Sequence, residues 1–286
     1  MTTRTAASTL AAIVRATVGQ LEDAGVDNPS LDARLLIGHV LGLDRAQILA
    51  QGERAVTPDE NDGIKSLIGR RCRREPVARI LGKREFWSLD FSMNDATLEP
   101  RPDSETLVEV VLTELKDRSA VTIFDLGTGT GCLLLALLSE LPQATGLGVD
   151  YTPHAVDQAR DNAEALRLGD RAIFRISNWM DNIDSKFDVI ISNPPYIPSK
   201  NIPTLMPEVR NYDPLAALDG GEDGLAVYRL IVPQVRGRLN AGGFVVFEVG
   251  EGQAESVGEL FRQNGFANVT YHMDLSGLAR CVKASD

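Results

Sequence analysis

Leu10, Ile13, Val14, Val18 and Leu21 recur at the spacing of one helix face, and Gly25 follows as a stop signal. A second helix is expected with Ser30 as its cap, Leu31, Leu35, Leu36 and Val40 as its stripe, and Gly42 at its end. Thr57-Pro58-Asp59-Glu60 predicts a third helix start: a capping threonine, proline in the first turn, then early acids. That helix runs through Ile64, Ile68 and Cys72. Together they predict a small helical bundle over residues 1–80. Between Arg84 and Leu98 the apolar residues are Phe86, Trp87, Leu89, Phe91 and Met93, a pattern that predicts a short hairpin. Residues 81–99 are expected to link this bundle to a second domain.

From Pro100 the pattern becomes strands alternating with helices. Strands are predicted at Val121–Phe124, Thr145–Val149, Ala172–Ile176, Phe187–Ser192 and Phe244–Val249. Helices are predicted over Cys132–Leu141, Pro153–Leu166 and about Leu225–Leu239. Such alternation gives an α/β domain with a largely parallel sheet, here residues 100–286. Ligands then sit at the carboxyl ends of the strands.

Length and charge narrow the choices. The chain has 286 residues, enough for two domains, and is 43% hydrophobic and 24% charged. Its 29 Lys and Arg against 40 Asp and Glu leave a net charge of −11, the wrong sign for gripping nucleic acid through phosphates. The three cysteines, Cys72, Cys132 and Cys281, are far apart, and His39, His154 and His272 are the only histidines, so no metal site is expected. Met1 to Gln20 lacks the pattern of a secretory signal, and no stretch approaches the ~18 apolar residues of a membrane span, so a cytoplasmic setting is the expectation. One basic stretch stands out: Lys65, Arg70, Arg71, Arg73, Arg74, Arg79, Lys83 and Arg84. It reads either as a solvated helix face or as a docking patch for an acidic partner or RNA.

Asp125-Leu126-Gly127-Thr128-Gly129-Thr130-Gly131 follows the first predicted strand and opens a helix. The glycines permit a sharp turn and close backbone approach, while the helix start presents free N–H groups to an anionic group. The next strand ends in Asp150, placed to accept hydrogen bonds from two ribose hydroxyls. A dinucleotide or S-adenosyl-L-methionine fits this layout; dinucleotide loops space glycines as G-x-G-x-x-G, whereas here the spacing is G-x-G-x-G with an aspartate directly before the loop, which resembles motif I of class I methyltransferases, although a nicotinamide site or a structural turn uses similar residues. After the third strand, Asn178 is placed to read an adenine amino group and Trp179 to pack on the adenine ring; Trp179 as ordinary core is the competing reading.

The fourth strand ends in Ser192-Asn193-Pro194-Pro195-Tyr196. Neither proline has a backbone N–H, so the ladder stops there in a rigid extended turn. The Asn193 side-chain carbonyl and the Pro194 backbone carbonyl are two acceptors, and Tyr196 adds a flat ring. Together they suit a planar NH2 group: two hydrogens accepted, one face covered. An amide nitrogen is a weak nucleophile, so the site must hold it in line with a methyl donor rather than deprotonate it first. Asn-Pro alone is also an ordinary turn signal; the preceding glycine loop and Asp-ended strand argue for the catalytic reading.

On these motifs the sequence resembles the bacterial peptide-chain release factor glutamine methyltransferases over nearly its whole length. Matching segments include Leu81-Gly82 with Glu85-Phe86, Pro100-Arg101-Pro102-Asp103-Ser104-Glu105, the glycine loop, and Asn193-Pro194-Pro195-Tyr196-Ile197. Later matches are Pro214, Ala217-Leu218, Gly220-Gly221, Asp223-Gly224-Leu225, Glu248 to Gly250 with Gln253, and Asp274 to Arg280. The resemblance implies a helical substrate-recruiting domain, a hairpin linker, and a class I, Rossmann-like, seven-stranded methyltransferase domain. It implies S-adenosyl-L-methionine as cofactor, contacted by Gly127, Thr128, Gly129, Thr130, Gly131, Asp150, Trp179 and Asn193, with Asn178 added by the strand-edge reading. It further implies that Asn193, Pro194, Pro195 and Tyr196 hold the glutamine of a release factor's Gly-Gly-Gln motif, with Asn193, Pro194 and Tyr196 as the catalytic set. The chain departs from the usual pattern at Glu99 and Ser104, where the family has an apolar residue and threonine, and at Trp87.

Three other readings share parts of this pattern. A sister glutamine methyltransferase of a ribosomal protein has the tetrapeptide but a different segment before the catalytic domain. A DNA adenine-N6 methyltransferase needs a target-recognition domain and a basic cleft. A non-catalytic module would keep the fold and lose cofactor affinity.

Overall fold

Thr57 accepts a hydrogen bond from the Glu60 N–H at 3.3 Å, and the Glu60 carboxylate accepts one from the Thr57 N–H at 2.9 Å. This capping box satisfies two donors that a helix start otherwise leaves open. It begins one of five N-terminal helices in the computed structural model, which describes residues 9–116, 118 and 120–286. The helices are α1 (Leu10–Asp23), α2 (Pro29–Leu41), α3 (Arg45–Ala50), α4 (Pro58–Cys72) and α5 (Val77–Leu81). Residues 1–8 of the expected bundle lie outside the described residues. α1 buries Leu10, Ile13, Thr17 and Leu21.

α2 differs from expectation in two ways. Its cap position is Asn28, with Pro29 opening the helix; Ser30 lies inside the first turn and accepts a bond from Arg34. The buried ridge is Ala33, Leu36 and Ile37, whereas Leu31 and Leu35 are exposed. At about 100° per residue, Leu31 and Leu35 form their own stripe, turned away from Leu36. Both stripes are apolar, and the neighbouring helices select one.

Part of the basic stretch is turned inward, while Lys65, Arg73 and Lys83 stay exposed. Arg71 is only 6% exposed, and its guanidinium meets Asp32 at 2.7 Å and Glu208 at 2.9 Å. Arg74 also binds Glu208, at 2.6 Å, and Arg70 pairs with Glu75. Glu208 lies on α9 (Pro207–Tyr212), a short helix that groups with the N-terminal unit although it comes from the middle of the second. The open docking patch considered from sequence is therefore not formed by Arg70, Arg71 and Arg74, whose charges are spent on carboxylates of their own unit.

The second unit comprises Lys83–Met206 and Asp213–Asp286. Its first feature is the hairpin of β1 (Lys83–Phe86) and β2 (Leu89–Ser92). The two-residue turn puts Trp87 and Ser88 at φ 53° and 58°, a conformation better suited to Asn-Gly. Side chains hold it there: Glu105 accepts from the Trp87 N–H at 2.9 Å, Glu85 from the Ser88 N–H at 2.8 Å, and Glu140 from the indole N–H at 2.9 Å. Phe86 and Phe91 are fully buried among Leu107, Leu133 and Leu135. The hairpin is thus part of the second unit's core, not a free linker, because two phenylalanines are sunk in that core.

The sheet order is β5-β4-β3-β6-β7-β9-β8, with β9 antiparallel to both neighbours. Its strands are β3 (Thr122–Leu126), β4 (Thr145–Asp150), β5 (Ala172–Ile176), β6 (Phe187–Ser192), β7 (Leu239–Glu248), β8 (Asn268–Met273) and β9 (Ala279–Ser285). One core joins the sheet to α6 (Glu105–Glu114), α7 (Cys132–Glu140) and α8 (Pro153–Ala165). Another joins it to α10 (Ala226–Val235) and α11 (Ala254–Gln263), around Tyr228, Val257 and Phe261. Helices on both faces leave the strand ends as the place for a site. Among the described residues no helix is long and apolar enough to cross a membrane.

Candidate active site

β3 lies at the centre of the parallel strands, with β4 and β6 on either side, so the ends of all three converge. Leu126 pairs with Val149 on one side and Ser192 on the other. The Gly127 and Thr128 N–H groups both donate to the Val149 carbonyl at 2.9 Å, which folds the glycine loop over the end of β4. Gly127, Gly129 and Gly131 all have positive φ (72°, 54° and 79°), where any other residue would be strained. Asp150 ties the loop down: its carboxylate accepts from the Gly129 N–H at 3.1 Å and the Thr152 N–H at 3.0 Å. Burial raises its pKa.

These elements wall a cavity of about 220 Å³. Gly127, Thr128, Gly129, Thr130, Asp150, Asn178, Trp179, Asn193 and Pro195 line it. Gly131, Pro194 and Tyr196 do not. Gly131 is the cap of α7, and a side chain there would meet Ala159, Leu135 and Phe174, each at 3.2 Å. The Trp179 ring lies 3.3 Å from where a side chain at Gly127 would begin, so the indole and the bare loop pack together. Asn178 is exposed, and its NH2 reaches Asp181 at 3.3 Å. The lining fits an adenosyl amino acid: a carboxylate for a ribose diol, an indole beside the loop, and a helix start with no side-chain cap for an anionic group. Among the described residues no three His, Cys, Asp or Glu side chains converge as metal ligands would.

Asn193 follows the last residue of β6. Its NH2 donates to the Ser104 hydroxyl at 3.1 Å, which turns the side-chain carbonyl the other way. Pro194 is buried behind it. The Tyr196 hydroxyl donates to Glu248, at the end of β7, at 3.4 Å. Glu248 is 1% exposed, and burial, partly offset by Ser104 and Arg280, pushes its pKa up to about 7. Burial also raises Tyr196, and the nearby Glu248 charge adds to this. The Tyr196 carbonyl accepts from the Gln253 side chain at 2.9 Å. Three glycines surround the same residue: a side chain at Gly220 would strike the Tyr196 Cα at 2.8 Å, one at Gly224 its carbonyl at 2.3 Å, and one at Gly250 its ring at 2.9 Å.

The PrmC N-terminal domain family matches residues 12–82, and the methyltransferase small domain family matches residues 102–206. A release factor glutamine methyltransferase from Rhodospirillum rubrum is 49% identical over 265 residues, covering 93% of this chain and 81% of that one. Another, from Bradyrhizobium diazoefficiens, is 45% identical and covers 94% and 92%. The chain belongs to the release factor glutamine methyltransferase family. Its catalytic unit has the class I, Rossmann-like, seven-stranded methyltransferase fold. In fold it is similar to the T. thermophilus 16S rRNA N2 G1207 methyltransferase solved with AdoMet and guanosine, at a TM-score of 0.52 and 17% identity over 71% of this chain and 49% of that one.

Sequence reasoning singled out the segments holding Ser104, Gly220, Gly224, Glu248, Gly250 and Gln253 without giving them tasks. The structure brings them all against the tetrapeptide. Glu99, the departure from the usual apolar residue, is buried, lines the cavity and faces Arg84 at 3.4 Å. Arg101, which also lines the cavity, pairs with buried Asp213. No local spacing announces these roles; each needs partners from distant segments.

Proposed function

We propose that this protein transfers a methyl group from S-adenosyl-L-methionine to the side-chain nitrogen of the glutamine in the Gly-Gly-Gln motif of peptide-chain release factors. One observation carries the proposal: the Asn193 amide, anchored through its NH2 to Ser104, has its carbonyl free at the wall of the cavity that the glycine loop and Asp150 also line. A free acceptor beside a cofactor-shaped cavity is what a planar NH2 substrate needs.

When bound, the cofactor supplies a methyl group on a positively charged sulfur, an electrophile that needs no further activation. Gly127 to Thr130, Asp150 and Trp179 are the residues that would hold it, with Asn178 at the rim and Gly131 acting through the packing of the loop. The tetrapeptide does the rest. Asn193 Oδ1 and the Pro194 carbonyl accept the two hydrogens of the glutamine amide, and the half-buried Tyr196 ring covers its face. Pro195 fixes the turn. Acceptors on those hydrogens favour the positive charge that develops on nitrogen, and fixed orientation removes an entropic part of the barrier. No general base is required before transfer.

The N-terminal helices would recruit the release factor, in the cytoplasm where translation terminates. Stable nucleic-acid binding is not expected at a net charge of −11. The test uses the purified full chain, labelled S-adenosyl-L-methionine, a release factor, a ribosomal protein substrate and duplex DNA. Mass spectrometry should place the methyl on the Gly-Gly-Gln glutamine nitrogen. Label confined to the ribosomal protein or the DNA overturns the proposal, as does failure to bind the cofactor in calorimetry.

A further inference from the structure

A Gly-Gly-Gln segment offers an enzyme one side chain to hold. The tetrapeptide takes the glutamine amide, and the two glycines give nothing further to grip. Choosing this glutamine among those of other proteins needs contacts outside the motif, on the rim of the acceptor site. The 101–104 turn organises that rim. The Ser104 N–H donates to the Arg101 carbonyl at 3.0 Å, which closes the turn. Three of its side chains then reach three separate segments. Ser104 accepts from Asn193 at 3.1 Å, Arg101 pairs with buried Asp213, and Asp103 meets Arg280 at 3.2 Å.

Two of those segments carry an exposed leucine. Asp213 is followed by Pro214, Ala216 and Ala217, which line the cavity, while Leu215 between them is 59% exposed. The Leu215 carbonyl accepts from the Leu218 and Asp219 N–H groups at 3.0 and 2.9 Å, so its backbone is fixed. Arg280 stands at the base of the turn between β8 and β9, where its carbonyl accepts from the Val249 N–H at 2.9 Å, next to Glu248. Its guanidinium meets Asp274 at 3.1 Å. Asp274 Oδ1 accepts from the Ser276 N–H at 2.9 Å, the Ser276 hydroxyl at 2.6 Å and the Leu278 N–H at 3.0 Å. Backbone bonds from the Asp274 N–H to Leu278 and from the Gly277 N–H to Asp274, at 2.8 and 3.0 Å, complete the turn. Leu275, inside this cage, is wholly exposed.

A single leucine in solvent is ordinary. These two stand on immobilised backbone, and both anchors lead back to the turn that holds Asn193. An apolar side chain presented this way loses little conformational freedom when a partner covers it. We propose that Leu215 and Leu275 are docking contacts for the release factor, gripping apolar side chains that flank its Gly-Gly-Gln segment. The proposal deepens the functional reading given above and rests on it. Neither leucine takes part in methyl transfer; they supply binding that is the same before and during the reaction.

The test uses the full chain and a purified release factor. Wild-type methyl transfer to that factor is measured first, and its absence refutes the functional reading and this partner together. With an active wild type, Leu215→Ser and Leu275→Ser should each raise the Kd and KM for the release factor by about tenfold, the fold-change for burying one leucine side chain. The kcat at saturating release factor and the Kd of S-adenosyl-L-methionine should stay within about twofold, the signature of lost uniform binding. Leu275→Met keeps an apolar side chain and should keep the Kd. Ile173→Ser is the control: Ile173 is 55% exposed, but it lies near the start of the edge strand β5, at the other end of the sheet. It should bind the release factor as the wild type does. Melting of Leu275→Ser should match the wild type, because the side chain is already in solvent. If Leu215→Ser is unstable, Leu275→Ser decides alone. An unchanged Kd in the leucine variants overturns the proposal while the functional reading stands. So does a wild-type dimer in sedimentation that the leucine variants split with no change in release-factor Kd, which would assign the leucines to a second copy of the chain.

Discussion

Gly224→Ala isolates the packing behind the tetrapeptide. Gly224 has φ 80°, and a methyl group there would lie 2.3 Å from the Tyr196 carbonyl oxygen, 2.5 Å from Gln253 Nε2 and 3.2 Å from Pro198. The first of these is backbone and cannot swing aside. The left-handed conformation costs alanine about 1–2 kcal/mol. Relief of the clash must move Tyr196 or Gln253, which breaks their 2.9 Å hydrogen bond at a cost of about 1 kcal/mol. Overpacking adds about 1–3 kcal/mol. The sum, about 3–6 kcal/mol, is survivable for a domain stable by about 5–15 kcal/mol. We expect a melting temperature lower by about 10 °C or more and kcat lower by about tenfold or more. The Kd for S-adenosyl-L-methionine should hold, because neither Tyr196 nor Gly224 lines the cavity. Calorimetry, thermal melts and labelled methyl transfer measure the three quantities. Gly237→Ala is the control, since a methyl group there meets nothing within 4 Å. Wild-type melting and kcat in Gly224→Ala would refute the argument that the glycine cradle fixes Tyr196.

Arg71→Ala should destabilise the helical unit by about 3 kcal/mol, because it strands the largely buried Asp32 carboxylate and leaves Glu208 to Arg74 alone. Hydrogen exchange resolves the loss over α2 and α4; unchanged protection there would return Arg71 to the role of a surface cation. Phe91→Ala should cost about 3–5 kcal/mol in thermal or denaturant unfolding, whereas a hairpin acting only as linker would lose nothing. Asp125 is 1% exposed, burial raises its pKa to about 7, and its Oδ1 is unpartnered among the described residues. A raised folded pKa gives a contribution that is complete below about pH 4 and lost as pH climbs through 7. Asp125→Asn removes that linkage, so its stability relative to wild type should rise between about pH 4 and 7, by about 4 kcal/mol at most, and level off above. A difference flat in pH would place the ionised carboxylate in a more favourable setting than its burial indicates.

What the sequence made legible was what is written in contiguous residues. β5 and β6 fall at the predicted limits, 172–176 and 187–192, because short apolar runs there end in polar residues or proline. The glycine loop, Asp150 and the tetrapeptide were found as local motifs at strand ends. The α2 stripe was misread because two apolar stripes compete on one helix, and only packing chooses between them. The hairpin was recognised as a hairpin, but its burial depends on Leu107, Leu133 and Leu135 arriving from elsewhere. The arginines of α4 looked free because their carboxylate partners lie as many as 137 residues away. β8 and β9 carry mixed polar and apolar positions, and their antiparallel pairing rather than their pattern defines them.

The same division runs through the site and has a consequence for how it fails. The cavity wall is built chiefly from residues close to their own strand ends: the loop after β3, Asp150 closing β4 and Trp179 just after β5. The acceptor side is not. Prolines at 194 and 195 strip the turn of N–H donors, so it cannot hold itself by a ladder. Its order comes from Ser104, 89 residues away, and Glu248, 52 residues away, with Gln253 and three glycines closing on Tyr196. Side-chain hydrogen bonds over such separations depend on several elements docking together. A small packing error in β7, α11 or the 220–225 turn should therefore reach the acceptor before it reaches the cavity. Catalysis is the more fragile of the two functions, and substitutions far from substrate should lower kcat while cofactor binding survives.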